Sequence, residues 1–131
     1  MSPESEGAVE STLAVCRLLI SEAWSCDAKW QANYVAAEKR LREALPRHEN
    51  DVVLLTFLGA VLCDLNRYTR AIEVLQRAVE LGSTDRNTYY NLGVALLNRA
   101  THEEAMLAFT KAQQFSADPR SLEAYFDPHA Q

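Results

Sequence analysis

The sequence predicts an all-α fold of stacked helix pairs, and three observations carry that prediction. The first is a repeat. Ala37-x3-Leu41-x2-Ala44 returns as Ala71-x3-Leu75-x2-Ala78 and again as Ala105-x3-Phe109-x2-Ala112, each time after 34 residues and with no insertion or deletion. A period of this size belongs to arrays in which one helical unit stacks on the next to complete its core. The second is composition: only four Gly and four Pro in 131 residues leave long stretches free of helix breakers. The third is periodicity. Apolar residues recur at three- and four-residue steps, and no segment sustains the two-residue alternation of a strand.

The elements follow in order. Residues 1 to 7 are polar and acidic and are expected to be a disordered lead-in. A first helix from about Ala8 to Cys26 places Val9, Leu13, Cys16, Ile20, Ala23 and Trp24 at helical spacing, and its length suits it to cover the bare N-terminal face of the stack. A second, about Asn33 to Leu45, carries Tyr34, Ala37, Leu41 and Ala44 on one face and stops at Pro46, which cannot continue the hydrogen-bond ladder. The third, about Asp51 to Leu65, is apolar nearly all round and should be buried on several sides. Asn66-Arg67 turns the chain into a fourth, about Tyr68 to Leu81, and Gly82 suits its C-terminus. Ser83-Thr84-Asp85 offers N-cap side chains for the fifth, about Arg86 to Asn98. Thr101-x-x-Glu104 has the form of a capping box for the sixth. Asp118-Pro119 is read as the start of a short seventh helix that ends by Asp127-Pro128.

Charge and chemistry narrow the function. Thirteen Lys and Arg against 18 Asp and Glu give a net charge of −5, which argues against a nucleic-acid partner, since that affinity rests on clustered cations. The start of the chain is acidic where a signal peptide would be basic. The longest apolar stretch, Leu13 to Ile20, is interrupted by Arg17 and is too short to span a bilayer. No membrane partner and a cytoplasmic location are therefore expected. Cys16, Cys26 and Cys63 form no C-x-x-C pair and read as small hydrophobes of a reducing compartment. His48, His102 and His129 lack metal-ligand spacing, and neither a phosphate loop nor a G-x-S-x-G elbow occurs. No catalytic, metal or cofactor residue is assigned, and the chain is not expected to be an enzyme.

In frame, the copies span about 18–51, 52–85 and 86–119, and they resemble the tetratricopeptide repeat, whose unit is a 34-residue pair of antiparallel helices. The small residue of the family's first helix falls on Ser25, Gly59 and Gly93, preceded by Trp24, Leu58 and Leu92. The aromatic position opening its second helix holds Tyr34, Tyr68 and His102. The first copy departs from the pattern at Ser21, and the expected loop proline is replaced by Glu49, Ser83 and Ala117. The resemblance implies a right-handed α-α superhelix of three helix pairs plus a short C-terminal helix, and a non-enzymatic adaptor that binds a peptide or helix of a partner protein in a concave groove.

In that frame the groove is lined by Leu19, Glu22, Ala23, Cys26, Lys29 and Trp30 in the first copy. Val53, Thr56, Phe57, Ala60, Cys63 and Asp64 line it in the second, and Asn87, Tyr90, Asn91, Val94, Leu97 and Asn98 in the third. The binding residues assigned are Phe57, Ala60, Asp64, Asn87, Tyr90, Asn91, Val94 and Asn98. Asn91 stands out because an amide side chain can pair with both the N–H and the C=O of a passing backbone. The family's clamp for acidic C-terminal tails is lacking: Glu22, Cys26, Phe57, Asn87 and Asn91 stand at its positions, without a Lys or Arg. Residues 120–131 are expected to supply a short capping helix and tail. With Leu107 and Phe115, their Leu122, Tyr125 and Phe126 form a candidate edge for homo-oligomer formation. Two alternatives stay open. One is a structural subunit whose groove or C-terminal edge serves self-assembly, the groove filled by its own lead-in or by residues 120–131. The other is a chaperone of the kind used in bacterial secretion.

Overall fold

The computed structural model describes residues 3–125, with side chains from residue 6 onward. Among them are six α-helices and no strand: α1 (Pro3–Ser25), α2 (Trp30–Ala44), α3 (Val52–Asp64), α4 (Tyr68–Glu80), α5 (Arg86–Arg99) and α6 (His102–Ala112). Single 3-10 turns at Asp27–Lys29 and Leu45–Arg47 bracket α2. Helices pack in the pairs α1–α2, α3–α4 and α5–α6, and the pairs stack through α2 on α3 and α4 on α5. Contacts of α3 with both α1 and α5 make those three helices one layer, with α3 at its centre. All ten residues from Leu54 to Cys63 are buried, which is why this helix is apolar on every side.

Local chemistry sets the ends of the helices. The Asp51 carboxylate accepts the Leu54 N–H at 2.9 Å and the Asp85 carboxylate accepts the Asn87 N–H at 2.9 Å, each satisfying a donor that the helix start leaves free. Thr101 and Glu104 close the capping box in both directions. At the C-terminus of α4, Gly82 takes φ +86° and the Ser83 N–H returns to the Ala78 carbonyl at 3.1 Å. Asn66 does the same work after α3, with φ +62° and the Arg67 N–H on the Leu62 carbonyl at 2.8 Å.

The glycines of the second and third pairs stand where two helices touch. A Cβ on Gly59 would run into the buried side chain of Leu75, and one on Gly93 would lie 2.6 Å from the ring of Phe109. Each contact joins the small residue of a first helix to the large residue between the alanines of its partner.

The first pair is built differently, which corrects the frame drawn through it. The chain reverses at Cys26–Lys29, whereas one period on, at Ala60–Cys63 and Val94–Leu97, it is still helical. Ser25 is the exposed last residue of α1 and not a crossing point. Instead α1 buries Val9, Leu13, Cys16, Ile20 and Ala23, a 4-3-4-3 seam. The helix also begins at Pro3, so residues 3–7 are helical and not a lead-in. Proline is pre-set for a first helical turn, and acidic residues there favour the positive end of the helix dipole.

The expected seventh helix is absent from the described residues. Residues 118–121 form a turn and residues 122–125 have no regular secondary structure. Eight residues stand between Pro119 and Pro128, about two helical turns, and so short a helix does not overcome its nucleation cost alone. The non-helical backbone of residues 122–125 instead finds hydrogen-bond partners on the concave face. Phe126 lies outside the described residues.

Candidate functional site: the concave face and its strap

The layer of α1, α3 and α5 forms a face along which residues 118–125 lie as a strap. At one end Asp85, having capped α5, also accepts the Asp118 N–H at 2.9 Å and the Ser121 hydroxyl at 2.6 Å. Asn87, in the first turn of α5, donates to the Ser121 hydroxyl at 3.0 Å. Asn91, one turn further, holds the backbone in both senses: its Nδ2 donates to the Leu122 carbonyl at 2.9 Å and its Oδ1 accepts the Ala124 N–H at 2.8 Å. The Tyr125 N–H then reaches the Asp64 carboxylate at 2.8 Å. Since Asp64 ends α3, the strap runs from the start of α5 toward the C-terminal ends of α3 and α1.

The first helix supplies the opposite wall. Arg17 donates to the Arg120 carbonyl at 2.6 Å and lies over the buried ring of Phe57, 5.7 Å from its centre. Glu10 pairs with Arg120 at 3.6 Å, and Arg86 of α5 pairs with Glu123 at 3.5 Å. These exposed pairs steer the strap more than they stabilise it. Trp24 packs on Tyr125 with ring centres 5.1 Å apart.

Asp64 is the electrostatic centre of this face. Its second oxygen accepts the Tyr34 hydroxyl at 2.8 Å, and that hydroxyl accepts the Trp24 indole N–H at 2.9 Å. Burial pushes the Asp64 carboxyl up to about 6, against the opposing pull of the Tyr34 hydroxyl and the Tyr125 N–H. The same burial, with the nearby carboxylate, raises the Tyr34 hydroxyl well above its ordinary value. Burial pushes the Cys16 thiol up to about 11 and Cys63 higher still. Cys16 donates weakly to the Ala37 carbonyl and Cys63 to the Asn91 carbonyl, so both thiols are packed groups, not nucleophiles. Among the described residues no group of three or more His, Cys, Asp or Glu is placed to hold a metal, and no helix is long and apolar enough to cross a membrane.

Of the residues assigned from the sequence, Asn87, Asn91 and Asp64 touch the strap directly. Phe57, Ala60 and Val94 are buried floor beneath it. Tyr90 lines a cleft beside its end and packs against Phe109. Asn98 donates to the Val94 carbonyl within its own helix and does not reach the strap. The first-copy set is displaced with its frame: Ala23 belongs to the buried seam, Glu22 pairs with Lys29 at the surface, and the Leu19 carbonyl faces Asn33 of α2. Glu10, Arg17 and Trp24 take their place on the groove wall, and only the break that Arg17 makes in an apolar run hinted at it. The expected self-association edge is also divided. Leu107 is exposed on α6 and Phe115 stacks on Tyr89, but Leu122 and Tyr125 lie in the groove.

Comparison with known proteins agrees with this geometry. A family model described as TPR repeat matches residues 59–98, and another, described as tetratricopeptide repeat, matches residues 87–119. Neither match extends to α1 or α2. No curated protein matches the chain. The chain carries tetratricopeptide repeats over residues 59–119. Repeats of this family generally mediate protein–protein interactions and are generally not catalytic.

Proposed function

We propose that this chain is an adaptor that holds an extended segment of a partner protein along the face formed by α1, α3 and α5. The observation that carries the reading is the two-way grip of Asn91 on the Leu122 carbonyl and the Ala124 N–H. Such a grip reads backbone and not side chains, so it would serve a partner's segment as it serves the chain's own. The strap is also an imperfect occupant, because the buried Oδ1 of Asn87 has no hydrogen-bond partner beneath it. A displacing segment that brings a donor there gains a bond the strap does not make. The cytoplasmic setting belongs to the same proposal and suits three free thiols.

Fluorescence anisotropy of a labelled peptide with the sequence of residues 118–126 tests this. Tethering gives the chain's own strap a millimolar effective concentration, so the peptide should bind the intact chain weakly. A chain whose strap is loosened by Leu122→Ser and Tyr125→Ser should bind it at least tenfold more tightly, and adding Asn91→Ala should remove that gain. Equal binding with and without Asn91 would show that the face is not the binding surface.

A second reading, assembly through α6, rests on Leu107 and Met106, which are 68% and 46% exposed on its outer side. Sedimentation at micromolar concentration should then show a dimer that Leu107→Glu dissolves, and a monomer throughout would dispose of it.

A further inference from the structure

Beside Tyr125, the last described residue of the strap, the face opens into a cleft of about 530 Å³. Its walls are largely aromatic: Trp24 of α1, Tyr34 of α2, Tyr90 of α5 and Tyr125 of the strap. Among the described residues the acidic groups on its lining are Asp64 and Glu123, and no Lys, Arg or His lines it. Glu123 already has a cation, Arg86, which also lies over the Tyr90 ring at 5.3 Å from its centre. Asp64 has none: its described partners are two neutral donors, the Tyr34 hydroxyl and the Tyr125 N–H. A half-buried carboxylate whose described partners are neutral, facing a cleft walled by π-systems, has the chemistry that selects an organic cation. The ring faces attract the charge and the carboxylate pairs with it.

We infer that this cleft is a subsite for a basic side chain, an ammonium or guanidinium carried by a Lys or Arg of the partner's segment. The inference rests on the proposed groove binding and adds the chemistry that the partner must bring. Charge complementarity argues for a partner and against self-occupancy, since residues 126–131 contain no Lys or Arg and an ordinary imidazole such as that of His129 is mostly neutral at pH 7. The raised value of the Asp64 carboxyl fits the same reading, because burial without a neighbouring cation leaves the charge uncompensated. The position fits as well. A segment that takes the strap's place on the Asn91 grip leaves Trp24, Tyr34, Tyr90 and Asp64 in the wall, and it brings its own residue to Asp64 where the strap brings Tyr125.

The test uses the full chain, labelled with ¹⁵N, and three capped amino acids as probes: lysine, Nε-acetyllysine and norleucine. The Trp24 indole and Tyr125 amide resonances report on the cleft. Saturable shifts at both, with lysine binding at least fivefold more tightly than norleucine or acetyllysine, are expected. Asp64→Asn should remove that preference. Trp24→Leu, which keeps the carboxylate, should weaken lysine binding threefold or more without removing it. Equal response to the charged and uncharged probes, shifts confined to other residues, or no saturable shift would overturn the subsite. The two readings fail separately. Loss of the lysine preference leaves capture of the strap peptide by Asn91 intact, whereas capture that ignores Asn91 defeats the groove even if lysine still binds.

Discussion

The first helix pair and the two that follow share a period in sequence but not a way of packing. In the later pairs a glycine lets two helices close on each other, Gly59 on Leu75 and Gly93 on Phe109. In the first pair the chain reverses before the equivalent crossing is reached, and α1 packs through its own 4-3-4-3 seam. The later pairs make the array. The first pair, released from the crossing, closes the end of the stack and turns Arg17 and Trp24 toward the strap. Family models match where the glycines are and fall silent where they are not.

The largest test of that contrast is side-chain volume at the crossing. Gly59→Val should cost about 3 kcal/mol, because Leu75 is fully buried and has nowhere to move. Ser25→Val, at the same place in the period, should stay within about 0.5 kcal/mol because Ser25 is exposed. Urea denaturation measures both, and a matching loss at Ser25 would erase the distinction. Next come the caps. Asp51→Ala removes one cap and should cost about 1 kcal/mol. Asp85→Ala should cost about 2–3 kcal/mol, since it also strands the Asp118 N–H and the Ser121 hydroxyl. Equal losses would mean that the strap adds nothing to the array.

Asn91→Ala should cost about 1–2 kcal/mol. Hydrogen exchange at Ala124 and Tyr125 should quicken while α1 and α2 keep their protection; uniform loss across the chain would show that Asn91 is a core residue and not a strap anchor. The smallest effect is electrostatic. The folded chain holds the Asp64 proton more tightly than the unfolded chain does, so this group's contribution favours folding fully below pH 3.8 and is lost as pH rises through about 6. Carboxyl ¹³C NMR should show a midpoint near 6. Loosening the strap with Leu122→Ser and Tyr125→Ser should move it down toward 3.8 as water reaches the carboxylate, and an unmoved midpoint would mean that the strap is not its cover.

By itself the sequence determined what depends on near neighbours. The helices of the second and third pairs, the caps at Asp85 and Thr101, the burial of α3 and the ability of Asn91 to pair with a backbone all follow from residue types at fixed spacing. The turn at Cys26–Lys29 and the strap were decided only in the tertiary structure. Whether residues 119–125 coil or extend depends on hydrogen-bond partners far away in the chain, Asn91 about thirty residues from Leu122 and Arg17 103 residues from Arg120. Local propensity favoured a capped helix after Asp118, and it was outweighed because the non-helical backbone meets Asn91 and Asp64, which offer it bonds that a two-turn helix would have to do without.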